Sequence, residues 1–153
     1  MEIKFERAAA EDAETLIDVR NKSFYEDYIR YGMCPGYNIS KEHMIDSISS
    51  TIAYKIVCNN QVIGNIGIKD NQDSNYYIGC LCVIPDYQNK GIGQKAINFV
   101  ENEFPNAVVW ILKTPADKER NIYFYKKMGY KIIDEFVEGS VKLVVFEKKI
   151  NAI

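Results

Sequence analysis

Apolar residues recur along the chain in short alternating or continuous runs, and this pattern predicts seven β-strands. The first run alternates apolar and charged side chains, as a half-exposed strand does, whereas several later runs are rich in β-branched and aromatic residues. Asn59-Asn60 separates two of these runs and predicts a tight hairpin, because asparagine tolerates the positive φ that such a turn needs. The predicted strands cover residues 2–8, 51–58, 61–69, 75–84, 107–112, 130–137 and 141–148.

Apolar residues at helical spacing predict two helices after the first strand. A loop rich in glycine and proline, residues 31–38, separates them. Ser40 is placed to cap the second helix, which we expect to end near Ser50. The first helix is indicated by the helical spacing of Leu16, Val19, Arg20 and Phe24.

Two more helices are predicted in the second half of the chain. One covers residues 91–104 and ends at Pro105. The other is expected to begin at a capping box over residues 114–117, with proline in the first helical position, and to end at Gly129.

The order of these elements is β-α-α-β-β-β-α-β-α-β-β. Strands joined by hairpins pair antiparallel, whereas the helical crossover between residues 75–84 and 107–112 makes that pair parallel. The sequence therefore predicts a fold of the α/β (α+β mixed) class, with a mixed, mostly antiparallel sheet of about seven strands and helices on both faces. No linker divides the chain, so we expect one domain over residues 1–153.

Composition narrows the possible partners. The net charge is −2, so the chain has no excess of basic residues with which to neutralise nucleic-acid phosphates. It has no run of about 18 apolar residues and no signal-peptide core, so no membrane span is predicted and a cytoplasmic location is expected. Oligomeric state stays open, and the last two strands would allow a homodimer.

The four cysteines form no Cys-x-x-Cys pair, so we expect buried, reduced thiols and no metal site. Cys80 and Cys82 are two residues apart on a predicted strand, so we expect them to share one face with Ile78 and Ile84.

Gly91-Ile92-Gly93 follows a strand and begins a helix. The first turn of a helix has unpaired N–H groups, and glycine lets a phosphate approach them, so the junction predicts a phosphate-binding loop. Gln94 rules out a P-loop, which needs lysine and then serine or threonine after the last glycine. A Rossmann loop would need an acidic residue after the next strand, which instead ends in Lys113 and Thr114.

Two motifs carry a resemblance to a known family. Gln88-x-x-Gly91-x-Gly93 is preceded by "LCVIPDY". The run "RNIYFYKKMGYK" at residues 120–131 resembles an Asn-x-x-x-Phe/Tyr-Tyr-x-x-x-Gly-Phe segment, with Tyr130 where phenylalanine is commoner. Together with the order of elements, these motifs resemble the GNAT family of N-acetyltransferases.

This resemblance implies acetyl-CoA as the cofactor and acetyl transfer to a primary amine by direct attack through a tetrahedral intermediate. It also implies that the strand at residues 81–83 parts from its parallel neighbour and pairs with the pantetheine arm. Tyr125 would be the general acid and the Val83 N–H the oxyanion donor. The implied cofactor-binding residues are Leu81, Cys82, Val83, Gln88, Asn89, Lys90, Gly91, Ile92, Gly93, Gln94, Asn121 and Tyr125.

The acceptor and the base are less determined by the sequence. An acidic, aromatic loop with Tyr25, Glu26 and Tyr28 would suit a cationic amine, either a small molecule or a protein amino group. Tyr77, expected on the same face as Leu81 and Val83, would relay a proton, and the general base stays unassigned. A non-catalytic acyl-CoA sensor is the alternative function.

Overall fold

The computed structural model describes residues 1–150, and within them one sheet contains seven strands. The strands are β1 Ile3–Arg7, β2 Ile52–Cys58, β3 Gln61–Asp70, β4 Asn75–Val83, β5 Val109–Pro115, β6 Lys131–Glu138 and β7 Val141–Lys149. Their order in the sheet is β1-β2-β3-β4-β5-β7-β6. The helices are α1 Ala13–Tyr31, α2 Lys41–Ser50, α3 Ile92–Glu103 and α4 Glu119–Lys127.

The predicted mixed sheet is confirmed. β4 and β5 pair parallel, and the other neighbouring strands pair antiparallel. Asn59 and Asn60 have φ values of 52° and 62°, as the predicted hairpin between β2 and β3 requires. Ser40 caps α2, because its Oγ accepts a hydrogen bond from the His43 N–H at 3.2 Å.

Helices cover both faces of the sheet. Asn65 of β3 bonds to Arg20 of α1, so α1 lies on the face to which Asn65 points. Tyr54, opposite Ile66 and therefore on the other face, packs edge-on against Phe99 of α3 at 5.0 Å. We call these the α1–α2 face and the α3–α4 face.

Two apolar clusters fill the space between sheet and helices. A small one joins α1 and α2 through Ala13, Leu16, Met44 and Ile48. The large one includes Trp110 and Phe146, which are fully buried. This burial fixes the helices on the sheet and thereby sets the width of the gap between them and the central strands.

β4 and β5 separate halfway along their length. Their pairing begins at Asn75 and ends at Ile78, which lies opposite Leu112, although β4 continues to Val83 and β5 to Pro115. Beyond that point, no strand of residues 1–150 pairs with the facing edges of β4 and β5. The sheet is therefore open at its centre.

A β-bulge in β4 lies at the same point. Cys80 is opposite Gly67 and Ile78 is opposite Ile68, so Gly79 has no counterpart on β3. One extra residue reverses the alternation of side chains. Ile78 consequently lies on the α3–α4 face and Cys80 on the α1–α2 face, so the prediction that they share a face is wrong.

The bulge also moves Tyr77. Its side chain shares the α1–α2 face with Cys80 and Cys82 rather than lying with Leu81 and Val83. The expectation from simple alternation is therefore wrong. Nothing in the sequence marks the bulge except Gly79 itself.

The predicted start of the last helix is also wrong. Thr114 and Pro115 belong to β5, where Thr114 lies opposite Val144 of β7. The chain turns only after them, and α4 begins at Glu119 with Lys118 before it. Pairing with β7 outweighs the local capping preference, because it satisfies main-chain groups at the sheet centre.

None of the helices in residues 1–150 is both long and apolar enough to cross a membrane.

Close contact between β3 and β4 gives a first prediction. A Cβ at Gly64 would lie 2.4 Å from the Cys82 carbonyl oxygen, whereas one at Gly67 would have its nearest neighbour at 3.8 Å. Gly64→Ala should therefore destabilise the protein by about 1–3 kcal/mol, as overpacking does. Gly67→Ala, on the same strand, is the matched control and should be neutral or slightly stabilising. Urea unfolding measures both, and equal stabilities would contradict the tight contact.

Candidate functional site

A cavity of about 800 Å³ lies where β4 and β5 separate. Its walls are the two strand edges, α1 and the loop after it, the loop from β4 to α3, and α4. Among the residues singled out from the sequence, those in its lining are Tyr77, Leu81, Cys82, Val83, Gln88, Asn89, Gly91, Ile92, Gly93, Gln94, Asn121 and Tyr125.

Main-chain groups of β4 face the gap. The Ile84 N–H bonds to the Ile63 carbonyl at 2.8 Å, so alternate residues back along β4 direct their N–H and C=O groups toward β3. Cys82 is one of these. Leu81 and Val83 direct theirs the other way, into the cavity. Only these two of the three predicted strand residues therefore offer main-chain groups to a ligand.

The loop after β4 ends at the first turn of α3. Gly91 has φ +77°, and a Cβ there would meet nothing within 4 Å, so this part of the loop borders open space. The Lys95 N–H bonds to the Gly91 carbonyl as the first helical hydrogen bond. The N–H groups of Ile92, Gly93 and Gln94 precede it and have no helical acceptor, which makes this end of α3 able to bind an anion.

Gln88 connects this loop to two neighbours. Its Nε2 donates to the Val83 carbonyl at 2.9 Å, and its Oε1 accepts from Arg120 at 3.3 Å. The side chain therefore occupies the Val83 carbonyl and holds a cation beside the glycine loop. Lys90, by contrast, is exposed and lies outside the cavity lining.

Tyr125 and Asn121 come from α4. Tyr125 is 7% exposed and packs against Phe146, with ring centroids 5.6 Å apart. Burial raises the pKa of Tyr125, so its hydroxyl keeps its proton at neutral pH. Asn121 donates from Nδ2 to Thr114 Oγ1 at 3.1 Å, which ties α4 to β5. The amide and the phenol line one cavity, with the amide already held by the sheet.

The α1–α2 side of the cavity contains Tyr77 and Lys113. The Lys113 ammonium lies 5.6 Å from the centre of the Tyr77 ring and 5.3 Å from that of Phe136. Burial, and secondarily Glu138, raises the pKa of Tyr77, so this phenol is also protonated at neutral pH.

The C-terminal half of α1 is fastened to the loop before α4. Asp27 pairs with Lys118 at 2.6 Å, both side chains being about one-fifth exposed. The Tyr31 hydroxyl donates to Asp117 at 2.8 Å, and Arg30 pairs with Asp117 at 3.2 Å. These contacts close one side of the cavity.

The predicted acceptor residues lie differently. Tyr25 is 53% exposed, and Tyr28 stacks on Tyr37 at 4.6 Å, so neither lines the cavity. Glu26 lines a smaller pocket beside it. Phe24, Asp27 and Tyr31 of the same helix line the main cavity instead. Sequence spacing alone did not reveal which face of this helix end is turned inward.

Arg20 belongs to this site, although the sequence pattern gave it no functional role. It is 8% exposed, lines the cavity and donates from Nε to Asn65 Oδ1 at 2.8 Å. The Cys80 thiol donates to the same oxygen at 3.6 Å. Its position on the apolar stripe of α1 was the available signal, because arginine is rarely buried without a partner.

Metal ligands do not gather in this part of the protein. In residues 1–150, no three His, Cys, Asp or Glu side chains are grouped so that they could hold a metal ion.

Known proteins resemble this chain in sequence and in fold. A family model described as the acetyltransferase (GNAT) family matches residues 13–130. The uncharacterized protein YrkN of Bacillus subtilis (strain 168) is 30% identical over 89 residues, 57% of this chain and 48% of that protein. The chain thus spans about half the length of that curated relative.

Three solved structures show the likeness in fold. The PaiA N-acetyltransferase of Thermoplasma acidophilum in complex with coenzyme A superposes with a TM-score of 0.83 at 24% identity, covering 98% of this chain and 100% of that one. The ribosomal-protein-S18-alanine N-acetyltransferase of Escherichia coli has a TM-score of 0.81 at 11% identity, covering 99% of this chain and 96% of that one. A GNAT family acetyltransferase of Elizabethkingia anophelis with acetyl-CoA bound has a TM-score of 0.62 at 20% identity, covering 72% of this chain and 84% of that one.

Thiol reactivity provides a prediction for this site. A hydrogen bond from Cys82, with the nearby charge of Arg20, lowers the pKa of Cys80 despite its burial, whereas burial raises that of Cys34. Both cysteines line the cavity. The alkylation rate of Cys80 by iodoacetamide should reach half its maximum below about pH 8.5, the ordinary thiol value, because only the thiolate reacts.

Mass spectrometry after timed labelling follows each cysteine separately. Cys34 should titrate above Cys80, and Cys82→Ala should move the Cys80 midpoint to higher pH. A Cys80 midpoint at or above that of Cys34 would contradict the assignment.

Proposed function

The chain belongs to the acetyltransferase (GNAT) family, and on that premise we propose that it transfers the acetyl group of acetyl-CoA to a primary amine. The observation that carries the proposal is the continuity of the open β4 edge with the glycine loop at the start of α3. Such a surface offers main-chain hydrogen bonds along an extended arm and an anion site at its end.

The glycine loop would hold the pyrophosphate. Its N–H groups at Ile92, Gly93 and Gln94 are unpaired by the helix, and Arg120 is held close by Gln88. A Cβ at Gly93 would come within 3.2 Å of the Phe124 ring, so glycine at this position lets the start of α3 lie close to α4. Anions are favoured here by the N–H groups, the helix dipole and a cation together.

The edge of β4 would hold the amide-bearing arm. Leu81 and Val83 direct N–H and C=O groups into the gap, although Gln88 already uses the Val83 carbonyl. An arm with alternating amide donors and acceptors satisfies such groups as an added strand does. The two solved relatives that carry coenzyme A or acetyl-CoA share this fold.

The reaction needs an oxyanion donor and a proton for the leaving group. The amine nitrogen attacks the thioester carbon, and the oxygen charge that develops accepts a hydrogen bond from the Val83 N–H. The C–S bond then breaks, and Tyr125 gives its proton to the thiolate before regaining one from solvent. A buried phenol with a raised pKa is protonated at neutral pH, as this role requires.

The amine must lose a proton to a group other than a carboxylate of β4, since that strand has none. Tyr77 lies on the α1–α2 face beside Lys113, and it is our candidate for passing this proton to water. Its raised pKa makes it a relay rather than a resident base. We therefore assign the relay to Tyr77 and the final proton acceptor to solvent.

Cofactor binding is tested by thermal shift with acetyl-CoA, coenzyme A and NAD. At a ligand concentration of 100 Kd, binding should stabilise the protein by about 2.7 kcal/mol and raise the melting temperature by several degrees. Both acetyl-CoA and coenzyme A should raise the melting temperature, and NAD should leave it unchanged. Gly91→Glu should abolish the shift, because it places a carboxylate among the phosphates.

Gly32→Glu is the matched control for this variant. Gly32 also has a positive φ of +70° and no neighbour within 4 Å of a Cβ, but it lies outside the cavity lining. It should keep the full shift. Normal acetyl-CoA binding by Gly91→Glu would show that the loop does not hold the phosphates.

Catalysis is tested by Tyr125→Phe. Removing the phenol should lower kcat by about 10²–10⁴-fold, the usual contribution of a general acid, while the acetyl-CoA shift is retained. Tyr123→Phe is the control, since Tyr123 is 71% exposed on the same helix. Unchanged turnover in Tyr125→Phe would remove the acid role. Binding without turnover in the parent, over a broad amine panel, would favour the acyl-CoA sensor instead.

A further inference from the structure

Arg20 lies in the cavity with the Cys80 thiol beside it and, among the described residues, with no carboxylate to pair with it. Among residues 1–150, no carboxylate comes within 4 Å of its guanidinium, and only its Nε donates to a protein acceptor, Asn65 Oδ1. The nearest carboxylate on the same face of α1, that of Asp27, is paired with Lys118. A buried charge without a partner is costly, so a chain that retains one in a cavity has a use for it.

The free end of the guanidinium faces the cavity. In residues 1–150, Trp110 Nε1 is the only fully buried side-chain nitrogen or oxygen that lacks a hydrogen bond. The terminal nitrogens of Arg20 have no acceptor among residues 1–150 and are not fully buried, and Arg20 lines the cavity. Two neighbouring nitrogens of a guanidinium match the two oxygens of a carboxylate.

The arrangement around Arg20 is rigid. Asn65 is fully buried, and its Nδ2 donates to the Tyr54 carbonyl at 3.0 Å, so Oδ1 must point to Arg20 and Cys80. This bond fixes the guanidinium by its Nε and leaves its outer edge free. The geometry is therefore prepared before any ligand arrives.

The proposed cofactor does not supply the missing anion. Its phosphates belong at the start of α3, whereas Arg20 lies beside Cys80, next to the bulge where β4 and β5 separate. The part of the cofactor that would reach this point is a neutral amide arm and a thioester. A carboxylate at Arg20 must then come from the other substrate.

We propose that Arg20 binds a carboxylate of the acceptor, so that the amine acetylated by this protein belongs to a molecule of the amino-acid class. The inference rests on the proposed acetyl transfer and narrows its acceptor. The acceptor would still be a cationic amine but would also have a carboxylate, and the acidic groups expected to attract it contribute less, because Asp27 is neutralised by Lys118 and Glu26 lies outside the main cavity. Five basic side chains line the described cavity against two carboxylates, Asp27 and Glu138.

The test uses acceptors in matched pairs that differ only in the carboxylate. One series compares amino acids with their primary amides, and another compares ω-amino acids with alkylamines of the same length. Coenzyme A release gives kcat/KM for each member. The parent should favour the carboxylate-bearing member by about tenfold or more, as a charge-assisted pair in a buried site provides.

Arg20→Gln should remove this preference, mainly through KM, while leaving kcat/KM for the carboxylate-free member within about twofold. Arg20→Lys should keep part of the preference for the carboxylate-bearing acceptor, since lysine keeps the positive charge but lacks the paired nitrogens of the guanidinium. Arg7→Gln is the matched control, because Arg7 is exposed on β1 outside the cavity, and it should behave as the parent. An unchanged acetyl-CoA shift shows that each variant is folded.

Several outcomes would overturn the proposal. One is turnover of carboxylate-free amines alone. Another is an equal loss of kcat/KM for both members of an acceptor pair in Arg20→Gln, which would indicate that Arg20 acts at the reacting carbonyl. A carboxylate preference that is absent in the parent and appears only in Cys80→Ala would make Arg20 a partner of the thiolate instead. In each case the acetyl transfer itself stands. A parent that shows neither an acetyl-CoA shift nor turnover overturns both proposals.

Discussion

The separation of β4 and β5 beyond Ile78 is the constraint on which the site depends. A central strand normally has partners on both edges, since an unpaired main-chain N–H or C=O group in the interior is costly. Here the groups of Leu81 and Val83 face a cavity, and one of them is satisfied by Gln88. The fold thus leaves main-chain hydrogen-bonding capacity for a ligand at the middle of the sheet, where the helices around it are held by the core.

The charges around this gap are arranged for two different purposes. Asp27 and Lys118 neutralise each other and fasten α1 to the loop before α4, and Arg120 lies beside the glycine loop, where anions are favoured. Arg20 is different, because it is buried, no carboxylate of residues 1–150 pairs with it, and a neutral amide, Asn65, holds it. Stability alone does not explain such a group, since a buried ion is destabilising unless it is paired. The acceptor carboxylate that we propose would supply the missing partner.

Local sequence patterns were sufficient for the strands, the four helices and the glycine loop, because each depends on neighbours within a few residues. They failed where distant pairing decides the outcome. Thr114 and Pro115 resemble a helix start but extend β5 along β7. Gly79 is a bulge only because β3 offers no residue opposite it. Tyr77 and Cys80 change faces as a result, and with them the composition of the cavity wall.

The sequence by itself determined the class of fold, the order of its elements and the position of the glycine turn before α3, because periodicity and turn chemistry are local properties. Tertiary structure decided which side chains meet. Tyr25 and Tyr28 turn outward while Asp27 turns inward, and Arg20 reaches Asn65 across 45 positions of the chain. Burial and charge pairing depend on what packs opposite a residue, and no short stretch of sequence contains that information.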